Sequence, residues 1–240
     1  MQVILVTGVS KGLGLELIQS LLTDGNTVYG ISRSETIELE QLKLNYPTKF
    51  VHLQMDLSKK DTIRELSKYI LSNKIKFDCF VNNAATAYDD IITNANLDKL
   101  EYMFKVNTMI PIMLTKLAIR NFILNKIRGS IVHISSISAH TGYKGLSMYA
   151  ATKGALESFS KNTAREWGEY DIRSNCIVAG FMQTEMSDSL SDNQKQRIYN
   201  RTSLKKETNK LSVIETIKFL LSENAKSITG QNIFVDSGTI

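Results

Sequence analysis

Short apolar runs alternate with longer stretches of helical periodicity along the whole chain, and this alternation limits the folds open to it. Val3–Thr7, Thr27–Ser32, Phe50–Met55, Asp78–Asn82, Ser130–Ser135, Ile172–Val178 and Asn232–Val235 read as strands. Several are apolar at consecutive positions, as strands covered on both faces must be. Between them lie segments with apolar residues three and four apart. Lys11–Leu22 carries Leu13, Leu17, Ile18, Leu21 and Leu22, and Asp61–Leu71 carries Ile63, Leu66, Ile70 and Leu71. Further helices are expected over Glu38–Leu44, Leu97–Asn125, Tyr149–Trp167 and Val213–Leu221. The pattern predicts a doubly wound α/β fold, a parallel seven-stranded sheet with helices on both faces. No Pro/Gly/Ser-rich linker and no internal repeat divides residues 1–240, so a single domain is expected. The stretch 182–210 is polar and irregular, and long irregular stretches in compact domains tend to be lids or binding loops.

Composition excludes several classes. The 240 residues are 42% apolar and 22% charged, ordinary for a globular chain and unlike a disordered or fibrous one. The formal charge of +5 arises from scattered lysines without a run of five basic residues, so nucleic acid is not an expected partner. No apolar run approaches the ~20 residues of a membrane helix. The start, MQVILVTG, lacks the basic region of a signal peptide, and a cytoplasmic location is expected. Cys79 and Cys176 lie in strand-like runs and read as buried free thiols. No His/Cys cluster has metal-ligand spacing, so no catalytic metal is expected.

Three motifs carry chemistry. Thr7-Gly8-Val9-Ser10-Lys11-Gly12-Leu13-Gly14 lies between the first strand and the first helix. Glycines there permit a tight turn and let backbone approach a pyrophosphate at the helix N-terminus. The second strand ends in Ser32-Arg33 rather than the Asp or Glu that would accept from a ribose 2′-hydroxyl. A guanidinium forks onto a 2′-phosphate; with Lys11 nearby, NADP(H) is favoured over NAD(H). Tyr149 and Lys153 stand four apart on one helix face, and Ser136 precedes Tyr149 by thirteen residues. A hydroxyl, a tyrosine and a lysine beside a nicotinamide can polarise and protonate a carbonyl.

These segments, with Asp56-Leu57, Asn82-Asn83-Ala84-Ala85, Asn107 and GFMQTEM from Gly180, resemble the short-chain dehydrogenase/reductases along the whole chain. The resemblance implies a Rossmann domain and an NADP(H)-dependent oxidoreductase acting on CH–OH and C=O groups. It implies a catalytic tetrad of Asn107, Ser136, Tyr149 and Lys153, with Asn107 positioning a water and Lys153 depressing the Tyr149 pKa. Gly8, Ser10, Lys11, Gly12, Leu13 and Gly14 would form the phosphate turn, with Arg33 at the adenosine ribose. Asp56 and Leu57 would meet the adenine, Asn83 and Ala84 the cofactor ribose, and Met182 and Thr184 the carboxamide. Within the family the chain looks most like 3-oxoacyl-[acyl-carrier-protein] reductases of fatty acid biosynthesis, so a small-molecule or carrier-protein-bound carbonyl substrate is expected. Reductases of keto sugars, polyketides or cyclic ketones share these segments, and a non-catalytic nucleotide-binding protein is the remote alternative. An epimerase or dehydratase would have a larger C-terminal domain. Lys126, Arg128 and Arg173 are candidates for holding the acidic carrier; His140 and Tyr143 are candidates for lining the pocket, whereas His133 reads as structural. A homo-oligomer, a tetramer in the relatives, is implied. The chain departs from the family at Ala85, Ala179-Gly180 and Ser237.

Overall fold

The structure, a computed structural model, describes residues 1–183 and 191–240. Among the described residues seven strands form one parallel sheet: β1 (Val3–Thr7), β2 (Thr27–Ser32), β3 (Phe50–Gln54), β4 (Cys79–Asn82), β5 (Ser130–Ser136), β6 (Arg173–Ala179) and β7 (Asn232–Val235). Their order is β3-β2-β1-β4-β5-β6-β7, so the winding reverses between β1 and β4. The expected strand ends hold to within one or two residues, the usual margin.

Eight helices cover the sheet among the described residues: α1 (Gly12–Thr23), α2 (Ile37–Asn45), α3 (Thr62–Ser72), α4 (Leu97–Phe104), α5 (Ile110–Asn125), α6 (Ser147–Trp167), α7 (Asp192–Arg201) and α8 (Lys210–Leu221). Successive strand residues point to opposite faces. In β1, Ile4 and Val6 join one core with Leu17, Leu21, Leu39 and Ile217, from α1, α2 and α8. Leu5 between them joins a second with Leu66, Leu114 and Phe122, from α3 and α5, and α6 packs on the same side against β5 and β6. Both cysteines are free and buried, and burial pushes their thiols up to about 12. No described helix is long and apolar enough to cross a membrane.

Two elements differ from the expected pattern. The helix over Leu97–Asn125 widens into a π turn at Lys105–Met109 between α4 and α5. The 182–210 stretch contains a regular helix, α7, with a capping box in which Ser191 and Gln194 bond reciprocally to backbone.

His133 in β5 is wholly buried, between the rings of Phe80 and Phe159, and neither ring nitrogen has a hydrogen-bond partner. Burial, followed by the charge of Lys153, holds its pKa down at about 3 against an ordinary 6.5. Below pH 6.5 the unfolded chain therefore binds a proton that the folded chain refuses. Stability should fall at about 1.4 kcal/mol per pH unit as pH drops from 6.5 toward 3. His133→Leu removes both orphaned nitrogens and this proton, so it should add about 1–3 kcal/mol at pH 7. Its advantage should widen by pH 5. Urea unfolding at both pH values checks this; an equal or smaller advantage at pH 5 would refute it.

Candidate active site

In a sheet wound both ways from one point, the loops diverge at the carboxyl ends of the strands and leave a crevice there. Here that crevice is a cleft of about 1020 Å³. Its floor is the glycine turn. Gly8 has φ +74°, and a Cβ on it would lie 2.8 Å from Ala84 Cα. At Gly14 a Cβ would lie 2.0 Å from the Gly8 carbonyl oxygen. The turn after β1 thus packs backbone to backbone on the chain leaving β4. Asn83 fastens it, donating from Nδ2 to the carbonyls of Thr7 (3.1 Å) and Gly8 (3.0 Å). Thr7 Oγ1 returns the tie by accepting from the backbone N–H of Asn83 and Ala84. Asn83 was expected at the cofactor ribose; it does line the cleft, but both its contacts hold the glycine turn.

Gly8, Ser10, Lys11, Gly12, Leu13, Gly14, Arg33, Asp56, Leu57 and Ala84 line the same cleft. Asp56 accepts from the Ser58 hydroxyl (2.7 Å) and backbone N–H (2.9 Å), and these bonds hold its carboxyl below the usual range, helped by the charges of Arg33 and Lys59. Arg33 is exposed, and its Nη1 donates to the Tyr102 hydroxyl at 3.4 Å. Ser58 and Tyr102 carried no signal in the sequence. Glu38 also lines this end; nearby Glu35 is paired with Lys43.

The far end of the cleft holds Ser136, Tyr149 and Lys153. Ser136 closes β5. Its Oγ accepts from the Ser138 N–H (3.2 Å) and hydroxyl (3.0 Å), which leaves its own O–H for the cleft. Tyr149 and Lys153 lie one turn apart on α6, with Nζ 5.6 Å from the ring centroid. Lys153 is buried, donates to the Ile134 carbonyl at 2.8 Å, and is lowered by burial to about 8. Burial and then the Asp89 charge raise the Tyr149 phenol above its ordinary value. The depressed tyrosine expected from its lysine neighbour is therefore reversed in the protein itself: desolvation wins, and the phenol keeps its proton.

Asn107 does not reach the cleft wall. It is buried in the π turn, where Oδ1 accepts from the Thr86 N–H (2.8 Å) and Nδ2 donates to the Thr86 carbonyl (2.8 Å) and Thr152 Oγ1 (3.1 Å). Its carboxamide ties the loop after β4 to α6. A π turn is a common way of seating such a residue.

Met182 lines the cleft, whereas Thr184 and the rest of 184–190 lie outside the described residues. Tyr143 lines it as expected; His140 does not, its Nε2 lying 2.7 Å from Glu157. The basic residues proposed for an acidic carrier stand elsewhere. Lys126 ends α5 in the left-handed region, and Arg128 pairs with Asp171 at 3.3 Å. Arg173 donates to the carbonyls of Leu220 (2.8 Å), Ser222 and Ile228 (both 3.3 Å). All three precede β5 or open β6, at the opposite ends of the strands from Ser136.

A family model described as enoyl-(acyl carrier protein) reductase matches residues 8–239. The chain belongs to the short-chain dehydrogenase/reductase family. Among its relatives in this family, L-xylulose reductase of Caenorhabditis elegans is 32% identical, covering 98% of this chain and 94% of its own. The 3-oxoacyl-[acyl-carrier-protein] reductase of Aquifex aeolicus (strain VF5) is 31% identical over 99% and 96%. The solved structure of 4-hydroxyisoleucine dehydrogenase complexed with NADH superposes with a TM-score of 0.94 at 25% identity, covering 100% of this chain and 98% of that one. As a short-chain dehydrogenase/reductase, the chain is an oxidoreductase that uses a nicotinamide cofactor. The glycine turn fits that group: Gly8, Gly12 and Gly14 line the cleft where α1 begins, and a helix N-terminus offers backbone N–H groups to a pyrophosphate.

Proposed function

We propose that the chain is an NADPH-dependent carbonyl reductase, with a 3-oxoacyl thioester of CoA or acyl carrier protein as substrate and the 3-hydroxyacyl form as product. The observation that carries the reaction is the meeting of Ser136, Tyr149 and Lys153 in the same cleft as the glycine turn. The turn from Gly8 to Gly14, with Arg33, Asp56 and Met182, would hold a nicotinamide cofactor, which would supply the hydride. The Ser136 hydroxyl donates to the substrate carbonyl oxygen and fixes its direction. Tyr149, kept protonated by burial, passes its phenolic proton to that oxygen. The Lys153 ammonium stabilises the phenolate left behind. Asn107 acts by position, holding α6 and the loop after β4 together.

The substrate end supports an acyl chain. Ile137, Leu146, Phe181 and Ile198 line it, and residues 182–210 act as its lid, with Arg201 of α7 stacked 4.6 Å over the Tyr143 ring. The 32% identity to an L-xylulose reductase favours a keto sugar as the second reading. With Arg173 and Arg128 engaged elsewhere, a free CoA thioester needs no patch that the chain lacks. An NADPH-oxidation screen over acetoacetyl thioesters, keto sugars and cyclic ketones tests this. Turnover of sugars alone would replace the first reading by the second, and no turnover of any carbonyl would sink both. The assignment to cytoplasm belongs to this reading.

NADPH should outcompete NADH, because the end of β2 carries no carboxylate and Arg33, which follows it, would hold a 2′-phosphate. A charge-assisted contact is worth about 1.5–3 kcal/mol, so Arg33→Ala should raise KM for NADPH roughly 10- to 100-fold and leave NADH nearly unchanged. Equal use of the two cofactors by the parent protein would refute the assignment.

We also propose a homo-oligomer, a tetramer, with α4–α5 and α6 forming one interface and Ser227–Ile240 a second. Leu97, Met109, Met113 and Leu124 on the first and Phe234 and Ile240 on the second are large apolar residues left exposed in one chain. Light scattering that found only a 27.0 kDa species at micromolar concentration would refute it.

A further inference from the structure

Behind the reacting wall of the cleft lies a buried carboxylate that the reaction above does not use. Glu157 stands one turn after Lys153 on the same face of α6 and is 6% exposed. Three side chains from three other parts of the fold converge on it. The Ser135 hydroxyl of β5 donates to Oε1. Asn232 of β7 donates to Oε2 at 2.7 Å, and His140 Nε2, from the turn after β5, lies 2.7 Å from the same oxygen. Ser135 is flanked in sequence by Ile134, whose carbonyl takes the Lys153 ammonium, and by Ser136, which faces the substrate. The carboxylate therefore clamps the strand end from which both groups work.

An apolar side chain would fill this space without the cost of burying a charge. His140 is the basic group in direct contact with this carboxylate, and Lys153 is a buried cation one helical turn away on the same face, not in direct contact with it. We propose that Glu157 is a positioning residue for the reaction: its carboxylate locks α6 to the end of β5 and sets a negative charge one helical turn behind the Lys153 ammonium in the wall of the cleft. This rests on the reading that Lys153 serves the reaction.

The titratable groups around Lys153 are Tyr149 and Glu157 from α6, His133 from β5, His140 from the following turn and Cys176 from β6; Asp89, from the loop after β4, faces Tyr149. Burial lowers the lysine, and the charge of Glu157 works against that lowering. Cys176 is a neutral thiol at physiological pH, since burial raises it to about 12, and the His133 ring is neutral as well. This leaves Glu157 as the anion that matters.

The test follows the Lys153 ammonium directly, in the full-length protein with ¹³Cε-labelled lysine, its resonance assigned with Lys153→Arg. Glu157→Gln keeps the shape and the capacity to accept from Ser135 but loses the charge. The Lys153 midpoint should fall by about one pH unit. The alkaline limb of kcat should move down with it, a roughly tenfold change in the proton concentration at half-activity. An unmoved Lys153 midpoint in folded Glu157→Gln overturns the proposal. So does a shift that disappears in a His140→Gln background, which would assign the effect to the ring. Should Glu157→Gln fail to fold, ¹³Cδ-glutamate spectra of the parent protein decide: Glu157 ionised at pH 7 supports the proposal, and protonated overturns it. None of the NMR readouts needs turnover. A parent protein that reduces no carbonyl would defeat the proposed function and still leave Glu157 to be judged on its own.

Discussion

Tyr149→Phe is expected to lower kcat by about 10²–10⁴-fold while NADPH affinity and folding stay close to those of the parent. The substitution removes one oxygen and keeps the ring. That oxygen has no hydrogen-bond partner among the described residues, so its loss leaves no orphaned group behind. Lys153→Ala should behave differently, losing kcat and weakening the cofactor together, because the ammonium stabilises the phenolate and, as the family resemblance implies, would also bond the ribose hydroxyls of the cofactor. Single-turnover rates and NADPH fluorescence titration separate the two. Near-parental ketone reduction by Tyr149→Phe would show that another group gives the proton.

Gly14→Ala should be nearly as damaging through a different cause. Alanine is the better helix former by about 1 kcal/mol, so on propensity alone the change would stabilise α1. Sterics decide the other way. The new methyl would stand 2.0 Å from the Gly8 carbonyl oxygen and 2.6 Å from Asn83 Nδ2. The first neighbour is backbone and cannot swing aside. The turn must move, at about 1–3 kcal/mol of stability, and a displacement near 1 Å in a group that orients reactants is worth about 10²-fold in rate. Gly154→Ala is the control. Its added methyl would meet nothing nearer than Ala139 Cβ at 4.0 Å, so it should fold and turn over at least as well as the parent. Equal loss in both variants, read by thermal melts and kcat/KM, would mean that the close approach of Gly14 to the turn is not the cause.

The sheet and most helices were legible because burial on two faces writes long apolar runs and clean helical spacing. Leu13, Leu17 and Leu21 fell where the spacing put them, and Gly8, Gly14, Arg33, Asp56, Ser136, Tyr149 and Lys153 came together at one cleft. What escaped was encoded otherwise. Helix α7 has no buried residue, so it has no apolar stripe to read; its signal was the Ser191–Gln194 box. The π turn at Lys105–Met109 has no period of its own. The partners of Asn83, Asn107 and Glu157 lie dozens of residues away, and no local pattern announces a carboxamide that fastens a turn or a carboxylate that gathers three elements. Arg173 shows the reverse error: a basic residue read as a candidate for holding an acidic carrier, whose guanidinium holds three carbonyls together.

The wide turn between α4 and α5 has a consequence for how this gene can change length. A π turn holds one residue more than the α-helix around it, so removing a single residue from Lys105–Met109 would leave a perfectly regular rod. The extra residue rides as a bulge, five residues taking the rotation that about four make in an α-helix, so α4 would keep its phase on α5 and Met103 and Tyr102 their directions. What the deletion would remove is the seat of Asn107. The carboxamide that ties Thr86 to Thr152 depends on that bulge, so a one-codon deletion here would cost a cross-link between the loop after β4 and α6 while the rod itself grew straighter.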